Sequence, residues 1–216
     1  MKPIKIAPST IRNLLFIENI NDEFLIAIKQ KARHFSSEQI AKMKEGTKEE
    51  KNIILEFINK FKTINDDAVG PINLNRINTS YKKIIQNHLI TWTQGKIDGL
   101  LVHKWMKYIV EIKLTHSLSL DEAVVWYYPQ IQTYMELTLA QRCIFVLKNA
   151  ISGALEYKII KRDDKFISEV QKRCLWFIKQ VSNFNLDLNT IQGNFDQDFK
   201  IKEYWNKLIN IKRKYH

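Results

Sequence analysis

Tyr81–Tyr128 reads YKKIIQNHLITWTQGKIDGLLVHKWMKYIVEIKLTHSLSLDEAVVWYY and holds three of the five histidines of the chain. At ~100° per residue, Tyr81, Ile84, Ile85, His88 and Trp92 fall within about 100° of one another, which predicts a helix from about Arg76 to Gln94 with His88 in its apolar face. Gly95 ends that helix, and Asp98 caps the next, over about Gly99 to His116. On the second helix Leu101, Trp105, Tyr108, Ile109, Ile112 and His116 share one face, while His103 lies opposite with Lys104 and Lys107. His116 is therefore expected to point inward and His103 outward.

The same periodicity continues on both sides. Ser36 with Gln39, Thr47 with Glu50 and Ser119 with Glu122 have capping-box spacing, and Gly46 reads as a helix stop. Short helices are expected from Ser9 or Thr10 and from Asn21 or Asp22. Ile54, Phe57, Ile58 and Phe61 mark an amphipathic face, and TINDDAVGPINL (63–74) reads as an internal loop. A helix from Ser119 to about Ile160 is apolar on more than one side, with Pro129 in its first turns. Asp163 and Asp164 open another, which carries Phe166, Val170, Cys174, Phe177 and Val181. The last segment, DFKIKEYWNKLINIKRKYH, is amphipathic with a basic end.

A chain of 216 residues can bury one sizeable core, and six glycines and four prolines disfavour a sheet built on tight turns. The expected fold is all-α. Cys143 and Cys174 sit in apolar segments and read as core residues, and no window has the apolar length of a membrane helix. The net charge of +11 is spread along every predicted helix. Without zinc-finger spacing or a glycine-rich loop, this argues against nucleic acid as a partner. A cytoplasmic protein is expected.

No nucleophile elbow, phosphate-cradling loop or H-E-x-x-H motif is present. The adjacent carboxylates Asp66 and Asp67, Asp121 and Glu122, and Asp163 and Asp164 read as turns and caps, so no enzyme is expected. An inward histidine on an aromatic-lined face is either a hydrogen-bonded core residue or a haem ligand. His116 fits the ligand, and Tyr81, Ile84 and Ile85 fit the slot.

QNHLITWTQG, KIDGLLV, KLTHSLSL and VVWYYPQIQTY, in that order, resemble the sensor globin domain of globin-coupled sensors over about residues 10–192. The resemblance implies a globin-like helical fold with extra N-terminal helices. It also implies a sensor domain over 1–192, followed by a C-terminal amphipathic helix or connector over 193–216. His116 would be the metal ligand of haem b, with Tyr81, Ile84, Ile85 and His88 on the distal side. Trp105 and Ile112 would share the ligand's face, and Trp126 with Tyr127 would open the helix behind it. Such a domain detects O2, CO or NO and signals through a homodimer, formed here by 124–160 and 164–183, to a separate output partner. A haem-free globin-like adaptor or scaffold is the alternative.

Overall fold

The segment expected to be a helix over Gly99–His116 forms two strands instead. The computed structural model of the chain describes residues 4–82, 85–87, 89–187 and 199–215. In it β5 (Gly99–His103) and β6 (Met106–Thr115) make an antiparallel hairpin turned by Lys104, at φ +52°, and Trp105. The helix predicted over 119–160 ends at Thr138, and beyond it β7 (Arg142–Asn149) and β8 (Leu155–Lys161) complete a sheet of order β5-β6-β7-β8. The expected all-α, globin-like fold is therefore incorrect, and the chain is mixed α/β. The reason lies in β6 and β7, which are covered on both faces. A strand buried on both sides is apolar at nearly every position, so a helical period fits it as well as a period of two.

Two layers enclose this sheet. Tyr108, Val110, Ile112, Ile144 and Val146 pack toward α3 (Ser37–Phe61), joining Ile53, Ile54 and Phe57. The 63–74 segment adds the hairpin β1 (Thr63–Asp66) and β2 (Gly70–Asn73), with Ile64 and Ile72 in the same layer. On the other side, Ile109, Cys143, Phe145 and Leu147 meet Ala123, Ile131, Tyr134 and Met135 of α4 (Leu120–Thr138). Helix α4 connects β6 to β7, which run parallel, as such a pairing requires.

A second core gathers α1 (Ile11–Leu14), α2 (Ile17–Ala27), α5 (Asp164–Ser182) and α6 (Phe199–Tyr215). It includes Leu14, Phe16, Phe166, Cys174, Phe177, Tyr204 and Leu208. Trp92 of β4 (Ile90–Gly95), paired with β3 (Ile85–Asn87), belongs to it too, so the later part of the predicted 76–94 helix pairs as strands instead. Of the segments expected to form a dimer interface, 124–160 and 164–183, β7 lies inside the sheet and the apolar stripe of α5 is buried in this core.

The local helix signals fare differently. Ser36 and Gln39 form a reciprocal capping box, as do Ser119 and Glu122, and Asp163 caps α5 by accepting from the Phe166 N–H. Gly46 does not stop α3, which runs through it, and the Thr47 hydroxyl donates to the Met43 carbonyl at 3.0 Å instead of capping. Among the described residues no helix is long and apolar enough to cross a membrane.

Candidate active site

Hairpin register brings two carboxylates together. Gly99 pairs with Val110, so Asp98 and Glu111 stand one step further along the ladder, facing each other across the first and second strands of the sheet. The Ile112 N–H donates to Asp98 Oδ2 at 2.8 Å, which ties the Asp98 loop to β6. Side chains two apart on a strand share a face, so Glu111 and Lys113 both point toward α4. There the Lys113 ammonium lies 2.6 Å from Glu111 Oε1.

Helix α4 completes the arrangement. Gln130 Nε2 donates to Glu111 Oε1 at 2.8 Å and reaches Tyr134 Oη, one turn later, at 3.5 Å. The Tyr134 ring packs so close to Gly95 that a Cβ there would lie 2.6 Å from its Cε1; the absence of a side chain at 95 permits the approach. Lys113 Nζ also sits 5.1 Å from the Tyr127 ring centroid. Glu111 is 2% exposed, and its Oε2 is buried without a hydrogen-bond partner.

Burial dominates the electrostatics, and for Asp98 the Glu111 charge comes next. Burial, then the Glu111 charge, pushes the Asp98 carboxyl up to about 8, against the pull of Lys113 and the Ile112 N–H, while Glu50 on α3 adds to the push. Glu111 is raised too, first by burial, with Lys113 opposing and Glu50 reinforcing. Burial disfavours the Lys113 ammonium, but Glu111 and Asp98 outweigh it and hold the side chain charged. The result is a concentration of buried negative potential, which the single lysine offsets only in part.

The donors are carboxylate oxygens, a set suited to Mg²⁺, Mn²⁺ or Ca²⁺ rather than to softer metals. The unpartnered Glu111 Oε2 and the raised Asp98 and Glu111 are what a cation would relieve. Among the described residues no three His, Cys, Asp or Glu are grouped as a metal cage. A cation held by Asp98 and Glu111 would therefore share its coordination with water and substrate, as Mg²⁺ does in phosphate chemistry.

No family model matches the chain, and no curated protein does. Solved structures do. An alkaline exonuclease (LHK-Exo) from Laribacter hongkongensis is 19% identical, with a TM-score of 0.59 over 83% of this chain and 88% of that one. LHK-Exo in complex with dAMP aligns at 17% identity with the same score and coverage. A phage-related exonuclease from Haemophilus somnus 129PT is 12% identical, with a TM-score of 0.59 over 85% of this chain and 98% of that one. The fold is shared with solved exonucleases. This overturns the resemblance to globin-coupled sensors and, with it, the expected haem b, the gas-sensing or adaptor function, the absence of enzymatic activity and the exclusion of nucleic acid.

The predicted haem residues scatter. His116 follows β6 and is partly exposed, its Nε2 3.4 Å from Glu45 Oε2. Tyr81 is exposed on a short turn, Trp105 is 71% exposed at the tip of the β5–β6 hairpin, and Ile85 is half-buried on β3. Ile84 and His88 lie outside the described residues. Only Ile112, His116 and Trp126 line a common groove, described below. The residues that the prediction misses are Asp98, Glu111, Lys113 and Gln130. A signal for them does exist, in the acid-apolar-lysine alternation EIK on a β-branched run, with an aspartate before the preceding apolar run.

Proposed function

We propose that the chain is a divalent-cation-dependent nuclease that hydrolyses phosphodiester bonds of DNA from strand ends. The observation that carries this reading is the cross-strand pair Asp98 and Glu111 with Lys113 beside Glu111 on one hairpin, Glu111 buried and Asp98 and Lys113 half-buried. That the similar solved chains are exonucleases supports both the bond class and the preference for ends.

Asp98 and Glu111 would hold the cation, which when bound supplies Lewis-acid polarisation of the phosphate and lowers the pKa of the attacking water. Lys113 stays charged, and its ammonium stabilises the negative charge that builds on the phosphoryl oxygens during attack. Gln130 fixes the Glu111 carboxylate by donating to Oε1, leaving Oε2 for ligand binding. Tyr134 in turn braces Gln130. Burial beneath α4 limits bulk water and strengthens each of these interactions.

The test is incubation of purified protein with end-labelled linear duplex DNA in Mg²⁺ or in EDTA. Mg²⁺-dependent release of nucleotides is expected, abolished by Asp98→Asn and by Glu111→Gln in folded protein. No Mg²⁺-dependent loss of DNA, or loss indifferent to both substitutions, would overturn the proposal.

A further inference from the structure

A groove of about 560 Å³ opens beside this site, between the N-terminal half of α3, the end of β6, the start of α4 and the last turns of α6. Its lining includes Glu50 and Lys113, so it is continuous with the carboxylate site. The other chemistry-bearing residues in its wall are Lys42, His116, Trp126, Tyr127 and Lys212. These come from four separate elements, and none has a part in holding the cation.

We propose that this groove seats a single nucleic-acid strand at the cleavage site, with Lys42 and Lys212 taking its phosphates and Trp126 stacking a base. The proposal rests on the nuclease reading and says that the strand, whatever duplex it comes from, is unpaired where it is cut. Alternation of cations with an aromatic surface along a groove is the arrangement that binds single strands without regard to sequence. The volume lies within the roughly 300–1,000 Å³ of sites that hold one small ligand, the scale of a nucleotide or two.

The cations are free to exchange partners. Lys42 is exposed and, among the described residues, pairs along its own helix with Glu38 at 2.6 Å, and His116 pairs with Glu45 at 3.4 Å. Exposed pairs of this kind contribute little, so a phosphate can displace the carboxylate. Among the described residues Lys212 pairs with no carboxylate; it lines the groove, and its Nζ lies 5.2 Å from the Phe16 ring and 5.9 Å from the Trp205 ring. Trp126 is half-buried, with Arg12 covering a ring face at 3.9 Å. That cation fixes the indole as a rigid platform. The basic end of α6 thereby acquires a role: it closes the groove opposite α3.

The experiment measures binding of a fluorescein-labelled oligothymidine 12-mer to the full chain by anisotropy, in EDTA, across a salt series. Lys42→Ala combined with Lys212→Gln is expected to weaken binding about 10-fold and to make log K against log salt shallower by about 1.4, at ~0.7 per single-strand phosphate contact. Trp126→Leu is expected to weaken binding about 10-fold without changing the slope, and Trp126→Phe to restore most of it. Thermal melting verifies that each variant is folded, and Lys42, exposed on its helix, also serves alone. Unchanged affinity and slope in the folded lysine variants overturns the proposal, as does a wild-type chain that does not bind the oligomer. Because binding is read without metal, a chain that binds but never cleaves sinks the nuclease reading alone. One that cleaves, with lysine variants that bind normally, sinks the groove alone.

Discussion

Asp98 precedes one strand and Glu111 lies in the next, yet the Glu111 charge raises the Asp98 pKa, and the Ile112 N–H joins the two segments through Asp98 Oδ2 at 2.8 Å. This coupling makes stability depend on pH. Asp98 is raised from an ordinary carboxyl value to about 8 in the folded chain, so the folded state holds a proton that the unfolded state has released. The stabilisation is fully present below about pH 4 and is lost as pH rises through about 8. Asp98→Asn removes the cost of ionisation. Its Tm is expected to exceed that of the wild type by several degrees at pH 8–9 and to match it near pH 4, by calorimetry in EDTA. Mg²⁺ is expected to raise the wild-type Tm at pH 8 and to leave Asp98→Asn unmoved.

In the proposed site Lys113 stabilises charge on the phosphate, and its ammonium lies between Glu111 Oε1 and the Tyr127 ring. Lys113→Ala is expected to lower kcat by about 100- to 1,000-fold with little change in DNA affinity. Lys113→Arg restores little, because the bulkier planar fork does not fit where a compact ammonium sits. Single-turnover cleavage rates at saturating enzyme decide this; a drop confined to affinity would contradict the assignment.

In the proposed site Gln130 acts through Glu111, to whose Oε1 it donates, and not on DNA. Gln130→Ala releases Glu111 Oε1 from its amide donor, and the Mg²⁺ concentration needed for half-maximal cleavage is expected to rise about 10- to 100-fold. The maximal rate at saturating Mg²⁺ should largely recover. A metal titration separates this outcome from a general loss of structure, which excess Mg²⁺ would not repair.

Gly95 carries the other side of the brace. An alanine there would place its Cβ 2.6 Å from Tyr134 Cε1 and 3.0 Å from Pro8 Cγ, so the ring or the β4 backbone has to move. Gly95→Ala is expected to cost about 1–3 kcal/mol by urea unfolding, in the range of overpacked cores. Tyr134→Phe, which keeps the packing and loses only the long contact to Gln130, should unfold at nearly the wild-type midpoint.

The caps of α3, α4 and α5 are legible in the sequence because both partners of each lie within four residues, as Ser36 with Gln39, Ser119 with Glu122 and Asp163 with Phe166 show. Strands β6 and β7 are not, because their apolar runs have no surface to alternate with. From Met106 to Glu111 every position but Lys107 is buried, and a helical stripe drawn through Leu101, Tyr108, Ile109 and Ile112 mixes residues from both faces of the sheet. The turn that would have betrayed the hairpin is made by Lys104 at φ +52°, a residue without the usual turn chemistry. The site shares this fate. A search for carboxylates adjacent in sequence finds Asp66 with Asp67 and Asp163 with Asp164, whereas Asp98 and Glu111 are joined only by strand pairing. His116 attracts attention because histidine is rare, but it sits past the strand end beside Glu45.

The tight turn at Lys104 and Trp105 has a further consequence. Because β5 and β6 meet there, Asp98, Glu111 and Lys113 arrive on one continuous piece of chain, whereas the groove walls come from segments as distant as Lys42 and Lys212. In the proposed nuclease, bond-breaking chemistry and substrate grip therefore sit on separate pieces of chain, so α3 and α6 could be altered to suit another polymer end with the cation-holding hairpin left alone.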